Sequence, residues 1–248
     1  MTLIIDNELN DFPIEEVWVY SLDVQNFKDN TKYLWDLLSK EEQEKASNFY
    51  KSFLTQNYII SHAVLRYILA SHTNKIPTEI EYLHNKYGKP FLSDSNIKFN
   101  MSHSHNKVAY LVAENCNVGI DIEYHEDSLE ILEIAKLVFT TQEYSTLSAL
   151  PPKEQISFFY DVWVKKEALV KLYGKGVSYP LESIETTNLK NGDQIFLKSH
   201  DVEDNKGFYY SLLLSYDYSA ALFTARQVTK INHIKLNSLD CLDKCFCF

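Results

Sequence analysis

A chain of 248 residues, 45% of them apolar, has material for a sizeable core and is not disordered throughout. Its formal charge of −10 argues against broad nucleic-acid affinity, which needs basic surface to release counterions. No apolar run is long enough to span a bilayer, and "MTLIIDNELNDF" lacks the basic region and apolar stretch of a signal peptide. The expectation is a cytoplasmic protein with no nucleic acid and no membrane as partner.

Alternation in "IEEVWVYSLDV" predicts a first strand over Val17–Leu22. The stretch from Thr31 to Asn74 reads as helical, and Ser39 with Glu42 forms a capping box that opens a new helix. Ile59, Ala63, Tyr67 and Ala70 make an apolar stripe on the next helix, and Pro77 ends the helical stretch. Short strands and turns lead to a strand at Ile97–Met101. Val108–Ala113 and Val118–Glu123 are expected to pair as a hairpin through the turn "ENCN", with a domain boundary near Asn117. Ser128 is expected to cap a helix through Val138, and a second short helix begins near Thr141. Pro151 and Pro152 open a longer helix over Lys153–Tyr173, because proline suits a helix's first turn. Strands follow at Gln194–Lys198, Phe208–Ser215 and Ala220–Thr224. Helices and strands mix without strict alternation, which points to an α+β fold, and no sequence repeat is visible. Cys116 stands alone, while Cys241, Cys245 and Cys247 crowd a tail that reads as frayed rather than as a disulfide framework or a lipidation signal.

Asp121 and Glu123, at i and i+2 of a strand, share one face, and Ile120 and Ile122 face the core. Two adjacent carboxylates repel unless a cation lies between them, and a hard ion such as Mg²⁺ prefers such ligands. On these two residues alone, a solvated strand end is the simpler reading. Glu167 and Lys171 neighbour each other on a helix, as a surface ion pair or as a third metal carboxylate with a phosphate-neutralising lysine. Gly174-Lys175-Gly176 follows a helix, so it reads as a C-cap, whereas a P-loop precedes one. His103 and His105 lack partners at zinc-site spacing, and Ser102 and Ser104 lack a nucleophile elbow. A histidine there can donate to a phosphate oxygen.

"YGKPFL" (Tyr87–Leu92), "FNMSHS" (Phe99–Ser104), "VGIDIE" (Val118–Glu123) and "WVKKEALVKLYGKG" (Trp163–Gly176) occur in that order. This combination resembles the Sfp-type 4′-phosphopantetheinyl transferase family, from about Ser39 to Leu181. The resemblance implies two similar α+β halves, here 1–116 and 117–248, with coenzyme A in the cleft between them. Asp121, Glu123 and Glu167 match the family's metal carboxylates, and Lys171 a lysine on the pyrophosphate. Ser102, His103, Lys89 and Lys45 match coenzyme contacts, with His103 near the 3′-phosphate. Two departures fall on the basic lining of the nucleotide end: Glu42 stands where relatives often place lysine, and Asn57 or Gln56 where arginine is common. Arg66 is retained, and His62 is a candidate to compensate.

The implied reaction transfers the 4′-phosphopantetheine arm of coenzyme A to a serine of an apo acyl or peptidyl carrier protein, with Mg²⁺ and release of 3′,5′-ADP. Glu167 is the expected general base, although a nearby cation would lower its pKa and weaken it; Glu143 is the alternative. A monomer is expected, because one chain holds both halves. Rival readings are a metal-dependent phosphohydrolase acting on coenzyme A, a weak or inactive relative that binds coenzyme A or carrier protein, and a domain whose carboxylates are merely solvated.

Overall fold

A computed structural model describes residues 13–127, 129–174, 179–197 and 206–245. The first strand, β1 (Ile14–Asp23), runs longer than expected at both ends. A 3₁₀ turn and the short helix α1 (Thr31–Trp35) follow, then α2 (Lys40–Ser47) and α3 (Ser52–Thr73). The capping box at the start of α2 is formed: the Glu42 amide donates to Ser39 Oγ at 3.2 Å, and the Ser39 amide donates to the Glu42 carboxylate at 2.9 Å. Asn74, in the left-handed conformation, ends α3 before Pro77 is reached. A small ribbon, β2 (Leu83–His84) with β3 (Pro90–Phe91), precedes β4 (Ile97–Ser104) and β5 (Lys107–Glu114). The chain continues through β6 (Val118–Tyr124), α4 (Ile131–Val138), α5 (Thr141–Ala149) and α6 (Pro152–Tyr173). Strands β7 (Gln194–Phe196), β8 (Lys206–Ser211), β9 (Tyr218–Thr224) and β10 (Val228–Leu236) and helix α7 (Leu239–Cys245) complete it. The cap expected at Ser128, the end of the strand expected at Lys198, Lys175, Gly176 and Cys247 lie outside the described residues.

The expected hairpin does not form. β5 pairs with β4 and β1 in a sheet ordered β10-β1-β5-β4, while β6 pairs with β9 in a second sheet ordered β6-β9-β8-β7. The reason lies in burial. Ala109, Leu111 and Ala113 of β5 and Val118, Ile120 and Ile122 of β6 belong to one buried cluster. Stacking the two strands lets these alternate faces meet, whereas edge pairing would leave both without cover. "ENCN", with Asn115 at φ 53, carries the chain from one sheet to the other. The other face of the first sheet packs on α3, and that of the second on α6. The layers therefore run α3, first sheet, second sheet, α6.

β10 was absent from the sequence-based expectations. It lies parallel to β1, from Ile14 opposite Val228 to Leu22 opposite Leu236. The first sheet is thus closed by the end of the chain, and a cut between residues 116 and 117 does not separate the two sheets. β8 also ends at Ser211, four residues before the expected Ser215.

The two sheet-and-helix layers share a device invisible as sequence identity. In the first, Glu42 of a capping box accepts from Arg66 of the long helix at 2.7 Å, and Arg66 donates to the carbonyls of Pro77 and Ile80. In the second, Glu143 of a capping box ion-pairs with Lys166 of the long helix at 2.7 Å, and Lys166 donates to the carbonyls of Leu181 and Ile184. In both cases those carbonyls bracket a 3₁₀ turn. The two long helices both end in a left-handed residue, Asn74 and Gly174, eight positions beyond the basic residue.

Candidate active site

Alternation along β6 sends Ile120 and Ile122 into the inter-sheet core and turns Gly119, Asp121 and Glu123 toward α6. Gly119 sets the approach of that helix. A Cβ there would lie 2.2 Å from the Ala168 carbonyl oxygen and 2.3 Å from the Leu172 amide nitrogen. Because α6 lies this close, Lys171 reaches β6: its Nζ is 2.5 Å from Asp121 Oδ1 and 3.1 Å from Ser102 Oγ. Lys171 thus pairs with Asp121 rather than with its helical neighbour Glu167. Glu167 has no hydrogen bond or ion pair among the described residues.

The edges of β4 and β6 run side by side, joined by side chains instead of a backbone ladder. Asn100 Oδ1 accepts from the Ile120 amide at 2.8 Å, Ser102 Oγ from the Ile122 amide at 3.3 Å, and Ser104 Oγ from the Tyr124 amide at 3.0 Å. The two serines then donate onward: Ser102 to Asp121 Oδ1 at 2.8 Å, and Ser104 to Glu123 Oε2 at 2.7 Å. The pattern Asn-x-Ser-x-Ser is a row of short polar side chains along one strand edge. Ser104, which lacks a nucleophile elbow, stands beside Glu123, and its period-two relation to Ser102 is the sequence signal for that place.

Burial raises the pKa of Asp121, against the lowering effect of Lys171 and Ser102. Burial also raises Glu123, opposed by the Ser104 hydroxyl and aided by the Asp121 charge. Burial and then Asp121 raise Glu167, opposed by Lys171. His103 is lowered by desolvation and by the Lys171 charge.

His103 faces a cavity of about 370 Å³ that Phe53, Asn57, Tyr58, Ser61 and His105 also line. Lys45 lies beyond Tyr58, its Nζ 5.5 Å from the ring centroid. A second cavity, of about 240 Å³, is lined by Glu123, Tyr124, Phe159, Tyr160 and Trp163 and shares His105 with the first. Ser102, Lys171, Asp121 and Glu123 are thus brought together, Glu167 and His103 adjoin them, and Lys45 is placed only against Tyr58, a lining residue of the larger cavity.

Three expectations change. All three donors of Lys89 are taken, by the carbonyls of Val118 at 2.8 Å, Lys171 at 2.7 Å and Leu172 at 3.1 Å. Its ammonium, pulled down to about 7 by burial and by Lys98, has no N–H left for a phosphate. Glu143 cannot act as the base. It is fully buried, and its oxygens serve Lys166, the Thr140 amide, and the amide and hydroxyl of Thr186. Glu42 is not a lost phosphate ligand but the partner of Arg66, with His62 Nδ1 at 3.4 Å. Asn57 donates to the His105 carbonyl at 3.4 Å.

Among the described residues no three His, Cys, Asp or Glu side chains converge as a closed metal-binding group. The donor chemistry nevertheless suits a hard cation. Asp121 Oδ2 is buried and has no hydrogen-bond partner. Asp121 also raises both Glu123 and Glu167, so the three carboxylates feel one another's charge. Oxygen ligands that are few and negative, with room for substrate oxygens, are what Mg²⁺ accepts.

Among the described residues no helix is long and apolar enough to cross a membrane. A family model for the 4′-phosphopantetheinyl transferase superfamily matches residues 117–223, the segment that carries all three carboxylates and Lys171. The chain is 30% identical over 175 residues to the 4′-phosphopantetheinyl transferase HetI of Nostoc sp., covering 69% of this chain and 73% of the relative. It is 31% identical over 166 residues to the 4′-phosphopantetheinyl transferase Sfp of Bacillus subtilis, covering 66% and 72%. It is 31% identical over 183 residues to the 4′-phosphopantetheinyl transferase psf-1 of Bacillus pumilus, covering 73% and 77%. The chain belongs to the 4′-phosphopantetheinyl transferase superfamily, and within it to the Sfp type.

Proposed function

We propose that this protein transfers the 4′-phosphopantetheine arm of coenzyme A to a serine hydroxyl of an apo acyl or peptidyl carrier protein, releasing 3′,5′-ADP, in a Mg²⁺-dependent reaction. The enzyme class follows from membership of the family. The observation that carries the site assignment is the buried Asp121, with one oxygen held by Lys171 and Ser102 and the other unpartnered. On this reading coenzyme A lies between the halves, against Ser102, His103 and Lys45, and the enzyme works as a cytoplasmic monomer.

Asp121, Glu123 and Glu167 would hold the ion, which when bound supplies positive charge to the pyrophosphate oxygens. Lys171 adds a second positive contact, aimed by its bonds to Asp121 and Ser102. The carrier serine's oxygen bonds to the phosphorus of the phosphopantetheine half. The bridging P–O bond breaks, and its electron pair leaves with 3′,5′-ADP. Glu167, which has no competing partner among the described residues, accepts the serine proton. Positioning and charge stabilisation supply most of the acceleration in such transfers.

The test is intact mass of an apo carrier domain incubated with the protein, coenzyme A and Mg²⁺, beside a chelator control and Asp121→Ala. A metal-dependent gain of one phosphopantetheine, absent with Asp121→Ala, is expected. Coenzyme A cleaved without a carrier would point to hydrolysis instead, and near-normal transfer by Asp121→Ala would sink the site assignment.

A further inference from the structure

The turn from Asn85 to Lys89, between β2 and β3, belongs to the first half, yet its side-chain hydrogen bonds outside the turn end on the second. Lys89 Nζ donates to the carbonyls of Lys171 and Leu172, in the last turn of α6, and to the carbonyl of Val118 at the start of β6. Asn85 Nδ2 donates to the Gly174 carbonyl at 3.0 Å. The Asn85 Oδ1 atom accepts from the amides of Tyr87 and Lys89, which holds the turn in shape. The fit is close: a Cβ on Gly174 would lie 2.6 Å from Asn85 Nδ2 and 3.0 Å from Lys89 Cδ.

These carbonyls need such partners. The last four carbonyls of a helix have no acceptor role within it, and a cation there also meets the negative end of the helix dipole. Helices usually meet the need from their own next residues. Here the Gly174 amide meets the Lys171 carbonyl at 3.1 Å, and a segment some 85 positions away in sequence adds further donors (|i−j| is 82 for Lys89 with Lys171 and 89 for Asn85 with Gly174). One ammonium therefore joins the residue whose side chain reaches Asp121, Lys171, to the strand that carries Asp121. The separation of α6 and β6 at this end fixes whether the 2.5 Å contact between Lys171 and Asp121 can form.

We propose that the Asn85–Lys89 turn is a positioning element of the transferase site, clamping α6 on β6 so that Lys171 meets Asp121, and that the Lys89 ammonium does not contact coenzyme A. The proposal rests on Asp121 and Lys171 being the reacting site, as set out above. Lys89 and Asn85 are positioning residues. Their loss acts on the rate of transfer and leaves coenzyme recognition in place.

Steady-state transfer to an apo carrier domain, with coenzyme A varied, is measured for the wild type, Lys89→Met, Asn85→Asp and Asp121→Ala, with thermal unfolding of each. Lys89→Met should lower kcat on the order of tenfold to a hundredfold, the effect of a misplacement near one ångström, with KM for coenzyme A within about twofold of wild type. Asn85→Asp keeps the acceptor that shapes the turn and loses the donor to Gly174, so it should show the same pattern more weakly. If Lys89→Met does not fold, Asn85→Asp carries the test with the same criteria. A raised KM with kcat unchanged would make Lys89 a coenzyme contact and overturn the proposal. A lowered Tm with kcat and KM both unchanged would make the turn merely structural and overturn it equally. Turnover surviving in Asp121→Ala would overturn the site itself, and the proposal with it; an inactive Asp121→Ala beside an unimpaired Lys89→Met would overturn the positioning role alone.

Discussion

Burial opposes ionisation of Glu42, yet His62, the Ser39 amide and Arg66 together outweigh it and bring its pKa down to about 2. A carboxylate depressed in this way contributes stability that is present above its unfolded value of 4.5 and lost as pH falls through 2. The shift corresponds to about 3 kcal/mol. Denaturant unfolding at pH 5.5 and at pH 2.5, for the wild type and Glu42→Gln, should show that loss in the wild type and a smaller one in the variant. Equal losses would remove Glu42 from the account. The second capping glutamate answers a question about catalysis. Glu143 and Lys166 are both 0% exposed, and removing one partner of such a pair costs about 3–5 kcal/mol. Glu143→Gln should therefore lower the unfolding temperature while the folded fraction keeps its turnover. Glu167→Gln should do the reverse. If Glu143→Gln folds normally but fails to transfer, the base has been placed on the wrong residue. Sequence put Glu167 first but left Glu143 open, because the partner that fully engages Glu143, Lys166, is distant in sequence and meets it only through tertiary packing.

The elements that carry the site were readable where they obey a local rule. The capping box at Ser39, the prolines at Pro151 and Pro152 and the glycine that ends α6 mark helix ends, because orphan backbone groups there must be met within a few residues. The pairing of β5 with β6 was misread for a related reason. Two strands joined by a short polar turn meet the local rule for a hairpin, but both present apolar alternate faces, and burial of those faces overrides the turn. Gly119 also depends on a distant partner. Its motif suggests only a flexible residue, whereas the structure needs the absence of a side chain, with backbone atoms of α6 as near as 2.2 Å to where a Cβ would stand. Those atoms belong to a helix and cannot turn aside. Gly119→Ala should force α6 outward, cost about 1–3 kcal/mol, and cut transfer more than it cuts stability, because Glu167 and Lys171 ride on the displaced helix. Unfolding curves and transfer rates on the same preparations check this; an unchanged rate would mean that the site tolerates the shift.

In the whole molecule, the residues proposed as the site lie where two sheets meet. Neither half contains it: Ser102 comes from the first sheet, Asp121 and Glu123 from the second, and Lys171 from the helix behind the second. That long-range assembly was not derivable from local pattern, and it became an expectation only through resemblance to a family. Even then the return of β10 to the first sheet went unseen. The first sheet's two ends of chain are over two hundred residues apart, and an outer strand whose exposed residues mix with apolar ones has no distinctive period. The seam between β4 and β6 follows the same logic of distance. Three side chains replace the carbonyls of a missing neighbour strand, and Asn100, which is buried, is the one of the three that bonds neither Asp121 nor Glu123. Its loss in Asn100→Ala leaves the Ile120 amide buried without its acceptor, at about 1–3 kcal/mol. Hydrogen exchange read at single amides is the sensitive measurement, since Ile120 should lose protection while core amides of α3, packed on the far face of the first sheet, fall only by the global loss of stability. If Ile120 stays protected, water or a shifted side chain replaces Asn100 and the seam is held by the two serines. If protection is lost across β6 as a unit, the halves open together along this line, and the carboxylates keep their place only while the seam is closed.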